Sequence, residues 1–415
     1  MKLQLKRLCV AALLVLALQP IYLLALVATD YVAPPELRRE RMQGIQLTPT
    51  STTEECVELG TGLQPGVTGL YNAIMSARPL ADKGVPCDFL LAAIAKDPSV
   101  TWWPYPRYWH GYRVLVDTWL TYLPIYPLRY LMLAAMIAGL TWLAFELRFL
   151  IGAEGALALI VPTVVLSDLW FCWIYAVHAI PIAFIFAGSA FVARKARRPD
   201  RDLILIAALL GSLFNYIDFL HNVPWQPMLI AFVALAAGRR GSEAFAIVVA
   251  WFAGYSLTWA SKWAIACAAG VKWSDIFEVI LYRLHGDAPG YVSHSFLAPS
   301  KKVFLYLYHH EQSAMLFLIL LPTLLLPTLL PVRWPNLNRF AILSLPVLIP
   351  FMWFELLSNH TQIHAWITYR PLASCFGILI AAAIIASRSA QPPLAFQTTR
   401  REHEPDVVPQ QQRAD

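Results

Sequence analysis

Apolar runs of up to about twenty residues recur along this chain with few charges inside them, and this feature limits the fold more than any other. In lipid, backbone N–H and C=O groups must be bonded within the protein, so only helices and closed barrels cross a bilayer. Barrel strands alternate polar and apolar residues, and the Leu/Ala/Ile/Phe stretches here do not. Hydrophobic residues make up 58% of the 415 and charged ones 14%, against about 25% charged in soluble domains. Lipid is therefore the solvent to reason with. The expected fold is all-α, a polytopic transmembrane bundle of about ten helices with a large extracytoplasmic first loop.

The expected spans are 8–28, 128–147, 149–167, 171–192, 203–220, 225–237, 244–260, 315–331, 340–357 and 372–386. The first follows Lys2, Lys6 and Arg7 as a signal peptide would, but it exceeds the usual 7 to 15 apolar residues and lacks a small-x-small cleavage site before Asp30. It reads as a retained helix. The domains expected are this helix in 1–28, a loop subdomain in 29–126, bundle segments in 127–260 and 312–388 flanking an outer loop in 261–311, and a disordered tail in 389–415. Within the first loop, 67–77 and 89–95 have short amphipathic patterns suited to a membrane surface.

A net charge of +6 raises nucleic acid as a partner, but the basic residues cluster between apolar runs, where anchoring at the cytoplasmic face explains them. The clusters are Arg194, Lys195, Arg197, Arg198 and Arg201, then Arg239 and Arg240, then Arg333 and Arg339, then Arg388. With the N-terminus inside, alternation over ten spans places all four in the cytoplasm, while Lys262, Lys272, Arg283, Lys301 and Lys302 of the long later loop fall outside and weaken the pattern. The expected location is the bacterial inner membrane, with both termini cytoplasmic. Cys56 and Cys87 lie in the first outer loop, where a disulfide and two unrelated thiols are both open readings.

With this topology the polar motifs converge on the outer face. They are Arg107 to Tyr112, including His110; Ser167-Asp168; Asp218 to Asn222, including His221; Lys262-Trp263; and Asn359 to Arg370, including His360 and His364. Ionisable residues near membrane depth are costly and mark sites or pathways. Each has a plainer reading: Arg107 and Arg370 as interfacial anchors, Asp218 as half of an ion pair with Lys262 or an Arg, and His360 with His364 as hydrogen-bonded interface residues. The two histidines have metal-pair spacing with Glu355 nearby, but no complete metal motif. Trp102, Trp103, Tyr105, Tyr108, Trp109 and Tyr112 read as an aromatic belt at the membrane interface. Nucleotide-binding and serine-hydrolase motifs are absent.

The strings 107–112, 214–220, 254–263 and 359–370 resemble a group of uncharacterised bacterial multi-span membrane proteins, over residues 102–386. The architecture looks like the GT-C class of glycosyltransferases, which use polyprenyl-phosphate-linked sugars. That resemblance implies an acidic base, or a ligand for a divalent cation, in the first outer loop, where Asp30 is the positional match and Asp88 or Asp168 an alternative. It also implies Arg, Lys or His residues on the lipid phosphate. The chemistry needs a carboxylate near the acceptor and fixed cations near the leaving phosphate, for which Asp218 and Asp168, and Arg107, Lys262 and Arg370, are candidates. The alternatives are a transporter or flippase, favoured by His178 inside the 171–192 span, and a glycan polymerase or ligase.

Overall fold

The computed structural model describes residues 2–43, 53–80, 84–172, 176–198, 202–218, 220–309 and 336–388. The chain is mostly helical. After α1 (Lys2–Val32) comes a cap built from α2 (Pro35–Arg41), α3 (Thr53–Gly60), α4 (Gly69–Met75), β1 (Arg78–Leu80), α5 (Pro86–Ile94), β2 (Thr101–Trp103) and α6 (Arg113–Tyr122). The two strands pair antiparallel with Arg78 opposite Trp103. A disulfide joins Cys56 of α3 to Cys87 of α5.

The bundle follows: α7 (Ile125–Val165), α8 (Leu169–Cys172), α9 (Ala176–Ala196), α10 (Leu203–Ile217), α11 (Trp225–Ala236) and α12 (Gly241–Ala268). Next come α13 (Trp273–His285) and α14 (Ala298–His309), then α15 (Leu337–Ser344), a 3-10 turn at Leu345–Val347, α16 (Leu348–Leu356), α17 (Ser358–Ile363), α18 (Ala365–Thr368) and α19 (Arg370–Ser387). Asp202 starts α10 by accepting bonds from the backbone N–H groups of Ile204 and Leu205, and Asn336 starts α15 by accepting from that of Arg339.

Among the described residues, six helices are long and apolar enough to cross a membrane: Lys6–Val32, Ile125–Val165, His178–Ala196, Gly241–Ala268, Leu337–Leu356 and Ala365–Ser387. The expectation was ten, and the difference has physical sources. Spans 128–147 and 149–167 form one 41-residue element interrupted at Gly152, whose φ of 83° and ψ of 166° break the helix. Leu203–Ile217 and Trp225–Ala236 are apolar but short, about 22 and 18 Å at 1.5 Å per residue. The span expected at 315–331 and the tail at 389–415 lie outside the described residues.

Basic residues gather at one end of the bundle. Arg7 pairs with Asp202, Arg197 with Glu146, and Arg239 with Glu243, while Arg239 also donates to the carbonyl of Arg198. Arg388 donates to the carbonyl of Ile151 and pairs with Glu154, bracketing the break at Gly152. The cap sits at the opposite end. Its α4, for which a place along the membrane surface was expected, buries Asn72, Ala73, Ile74 and Met75 against the bundle and leaves Leu70 and Tyr71 exposed.

Helices α10 and α12 approach at backbone distance because both carry glycine where they meet. A Cβ on Gly211 would lie 2.0 Å from the Trp251 carbonyl oxygen, and one on Gly254 2.0 Å from that of Ala208. Small residues of this kind let helices in lipid pack by van der Waals contact. Gly254→Ala is expected to destabilise by roughly 1 to 3 kcal/mol through overpacking, read as a lower melting temperature in detergent. An unchanged melting temperature would show that the two helices are not this close.

Candidate functional site

Four buried charges bolt the cap to the bundle. Arg113 of α6 donates to Asp30 at the end of α1, 2.7 Å, and to Asp117, 2.9 Å; Arg38 of α2 reaches Asp117 at 2.5 Å and Asp30 at 3.7 Å. Asn72 adds a bond to the same Asp30 oxygen, 3.1 Å. All four side chains are at most 4% exposed, and two positive charges balance two negative ones. Asp30, the acid that position in the chain suggested for catalysis, is thus committed to an ion-pair network. Lys262 is committed likewise: its Nζ donates to the carbonyls of Ala73 and Ile74 in the last turn of α4, at 2.9 and 2.8 Å, and lies 5.3 Å from the centre of the Trp109 ring. His110 contacts the carbonyl of Tyr105 in its own loop, at 2.9 Å, and burial holds its imidazole well below the usual pKa. These three residues build the floor of the cap.

The aromatic string does not form an interfacial belt. Trp109, Tyr112, Tyr108 and Tyr105 are all buried, and Trp103 alone of the six is largely exposed. Trp109 donates its indole N–H to the Thr258 carbonyl, 2.8 Å, and Tyr112 donates to that of Glu58, 3.1 Å. The string turns inward because each ring has a polar atom that finds a partner there.

The structure does bring most of the other expected residues together. Helices α10 and α11 are short because between them runs a polar loop, in which Asp218, His221 and Asn222 are buried. Irregular backbone at membrane depth is tolerated only inside protein or along a cavity. Asp218 Oδ2 accepts the backbone N–H of His221, 3.1 Å, and the carboxylate is close enough to Tyr108 and Tyr255 to act on them electrostatically. The ion pair with Lys262 that was one reading of Asp218 is not formed.

Beside that loop lies a cavity of about 360 Å3. Trp259 and Trp263 of α12, Ile276 and Ile280 of α13, and Trp353 and Leu356 of α16 give it apolar walls; Arg107, Arg283 and Tyr108 give it a polar end. Arg283 contacts His360 Nδ1 at 3.0 Å and His364 Nε2 at 3.4 Å. Arg107 stacks over Tyr105, 4.5 Å to the ring centre, and Arg78 of β1 lies over the same ring at 5.0 Å. Burial pushes the Arg78 guanidinium below its usual pKa, and its neighbours Arg107 and Arg283 add to that. None of the three arginines forms an ion pair among the described residues, and the Nε of each is buried without a hydrogen-bond partner.

Arg370, buried at the start of α19, belongs to a second group. It acts electrostatically on His178 and His221, and with Asp168 on Tyr306. Asp168 joins α7 to α8 with a φ of 52° and is half-buried. His178 is the third described residue of α9, near the start of the helix and not mid-span as its place in 171–192 implied.

Arg283 and Arg78 were not anticipated. Arg283 had a signal: Ile276, Val279, Ile280, Arg283 and Leu284 fall on one helical face, which places a cation on an apolar stripe. Arg78 had none, since a three-residue strand carries no pattern to read. No protein family, curated protein or solved structure matches this chain.

Two outcomes test this geometry. Arg113→Met leaves Asp30 and Asp117 buried with one cation between them, and a loss of roughly 3 to 5 kcal/mol is expected; a melting temperature within a degree or two of wild type would contradict the network. The His364 imidazole is lowered to about 4, by burial first and then by Arg283 and Arg107. Its folded pKa lies below the unfolded value of about 6.5, so the unfolded chain takes the proton first and stability falls as pH drops from 6.5 towards 4. Melting curves between pH 6.5 and 5 should show this slope, and His364→Gln should lessen it by one group's share while His110 keeps its own.

Proposed function

We propose that this protein is an integral-membrane transferase that takes a polyprenyl-phosphate-linked sugar into the α12–α13–α16 cavity and passes the sugar to an extracytoplasmic glycan or lipid acceptor. The observation that carries this reading is the arginine trio: Arg107 and Arg283 line the polar end of an apolar cavity, Arg78 lies over the Tyr105 ring beside them, and none has an acidic partner among the described residues. Like charges held together away from water repel, and an anion relieves the repulsion; at an effective dielectric near 20, opposite unit charges 4 Å apart attract by about 4 kcal/mol. A ligand suited to such a site is an anion with a long apolar tail. Phosphate fits the planar donors of arginine, and an isoprenoid chain fits the tryptophan-lined wall.

The topology agrees. Dividing α7 at Gly152 and including the two short helices gives nine candidate crossing rods among the described residues. The positive-inside rule then puts the end bearing Arg7, Arg197, Arg239 and Arg388 in the cytoplasm with both termini. The cap and the cavity face the other side, which in a bacterial inner membrane is extracytoplasmic. Helix α13 exposes Trp273, Phe277 and Leu281 on its outer face, as a helix lying at the lipid interface does, so a lipid tail enters sideways beside it.

In this mechanism the bond between the sugar carbon and the phosphate oxygen breaks as the acceptor hydroxyl attacks. Negative charge grows on the departing phosphate, where Arg107, Arg283 and Arg78 stabilise it. Asp218 accepts the hydroxyl proton as general base. His360 and His364 hold Arg283 in place. A transporter would require a polar pathway at mid-membrane, and His178, the residue that favoured it, sits at a helix end.

Arg283→Ala is expected to weaken binding of the lipid phosphate, and Asp218→Asn to keep binding while slowing transfer by roughly 100- to 10,000-fold. The readout is the set of surface glycans and lipid-linked intermediates in deletion cells complemented at matched membrane abundance. Accumulated lipid-linked sugar rescued only by wild type is the expected result. Full rescue by both variants would overturn the assignment.

A further inference from the structure

Away from the arginine trio, three side chains from three separate elements meet in the protein interior. Glu58 comes from α3 of the cap, His178 from the outer end of α9, and His221 from the polar loop after α10; one ligand atom of each lies within 4.8 Å of the other two, and all three residues are buried. The imidazoles stack with ring centres 4.7 Å apart. We infer that Glu58, His178 and His221 form a binding site for a divalent cation of the zinc class.

The donor set is the first argument. Two imidazoles and one carboxylate suit zinc, cobalt and manganese better than magnesium or calcium, which prefer oxygen throughout. The spacing is the second. Atoms bound at about 2.0 to 2.2 Å to a tetrahedral ion lie about 3.4 Å apart, so the side chains need close by about 1.4 Å at most. The third is that two of the backbones are held. Glu58 accepts the Tyr112 hydroxyl on its carbonyl, 3.1 Å, and lies two residues from the disulfide at Cys56. His221 is held through its N–H on Asp218, 3.1 Å. Three protein ligands leave one tetrahedral position, which in zinc enzymes takes water or substrate.

An ion here fastens the cap to α9 and to the loop that carries Asp218, which makes it a positioning device for that carboxylate. The inference stands without the transferase reading, because its test is binding of the metal itself. The full-length protein, purified in detergent and stripped with chelator, is given zinc or cobalt, and bound metal is counted by mass spectrometry after gel filtration. About one tightly bound equivalent per chain is expected, with a cobalt absorption spectrum of nitrogen and oxygen ligation. Glu58→Gln, His178→Gln and His221→Gln should each weaken binding roughly tenfold or more. A monodisperse wild type that binds neither metal, or well-folded variants that bind as wild type does, would overturn the site. Should a variant not fold, the wild-type cobalt spectrum decides: a thiolate charge-transfer band places the metal on cysteine and refutes the inference, and its absence with metal bound supports it.

Discussion

Everything at the capped end of this molecule depends on four charges kept from water. Each ion costs several kcal/mol to desolvate, so Asp30, Arg38, Arg113 and Asp117 are tolerable only as a closed set, with Arg113 bridging both acids and Asn72 adding a further bond. They come from α1, α2 and α6, which forces the first loop to fold down onto the bundle. Lys262 repeats the logic from α12 by covering the end of α4. With the cap fixed, the 104–112 segment has one place to go, and Arg107 and Tyr108 arrive at the mouth of the cavity.

The apolar half of the fold was legible because lipid imposes a simple rule: long uncharged runs become helices. Spans 8–28, 244–260 and 372–386 fall inside Lys2–Val32, Gly241–Ala268 and Arg370–Ser387. The separation of α7 into two segments was legible too, although the break came at Gly152, where φ is positive, and not at Arg148. The polar half was harder. Asp30, Lys262 and Arg283 look alike in sequence, as charges beside apolar runs, yet two are consumed in structural bonds and one faces a cavity. What separates them is long-range pairing: Asp30 meets Arg113 across 83 residues and Lys262 meets Ala73 across 189. No local pattern encodes such partners. The aromatic segment failed for the same reason, since Trp109 seeks a carbonyl on α12 and not the headgroups.

The two short helices link packing to chemistry. Gly211 and Gly254 draw α10 against α12 at backbone contact, so α10 is held where it is however short it runs. The helix stops at Ile217 and α11 begins at Trp225, and between them Asp218 and residues 220–224 run as irregular chain inside the protein. A continuous helix through this stretch would bury more apolar surface. The loop instead presents Asp218 towards Tyr108 and Tyr255 and His221 towards His178. Polar groups at that depth are expensive, and their accumulation at the ends of short helices is what distinguishes this region from the rest of the bundle.

Charge separates the two halves of this region. Around Tyr105 lie Arg78 and Arg107, whose Nε atoms lack acceptors among the described residues, a field that attracts anions. Around His221 the groups are imidazoles and the Glu58 carboxylate, a set that attracts cations. Arg283 touches His360 and His364, and these act in turn on His221, so the anionic and cationic fields meet across a pair of neutral rings. Asp218 is bonded to the backbone of His221 on one side and acts on Tyr108, at the cavity, on the other. A carboxylate in that position touches both groups of side chains, which is why the loop that carries it links the arginines to the histidines.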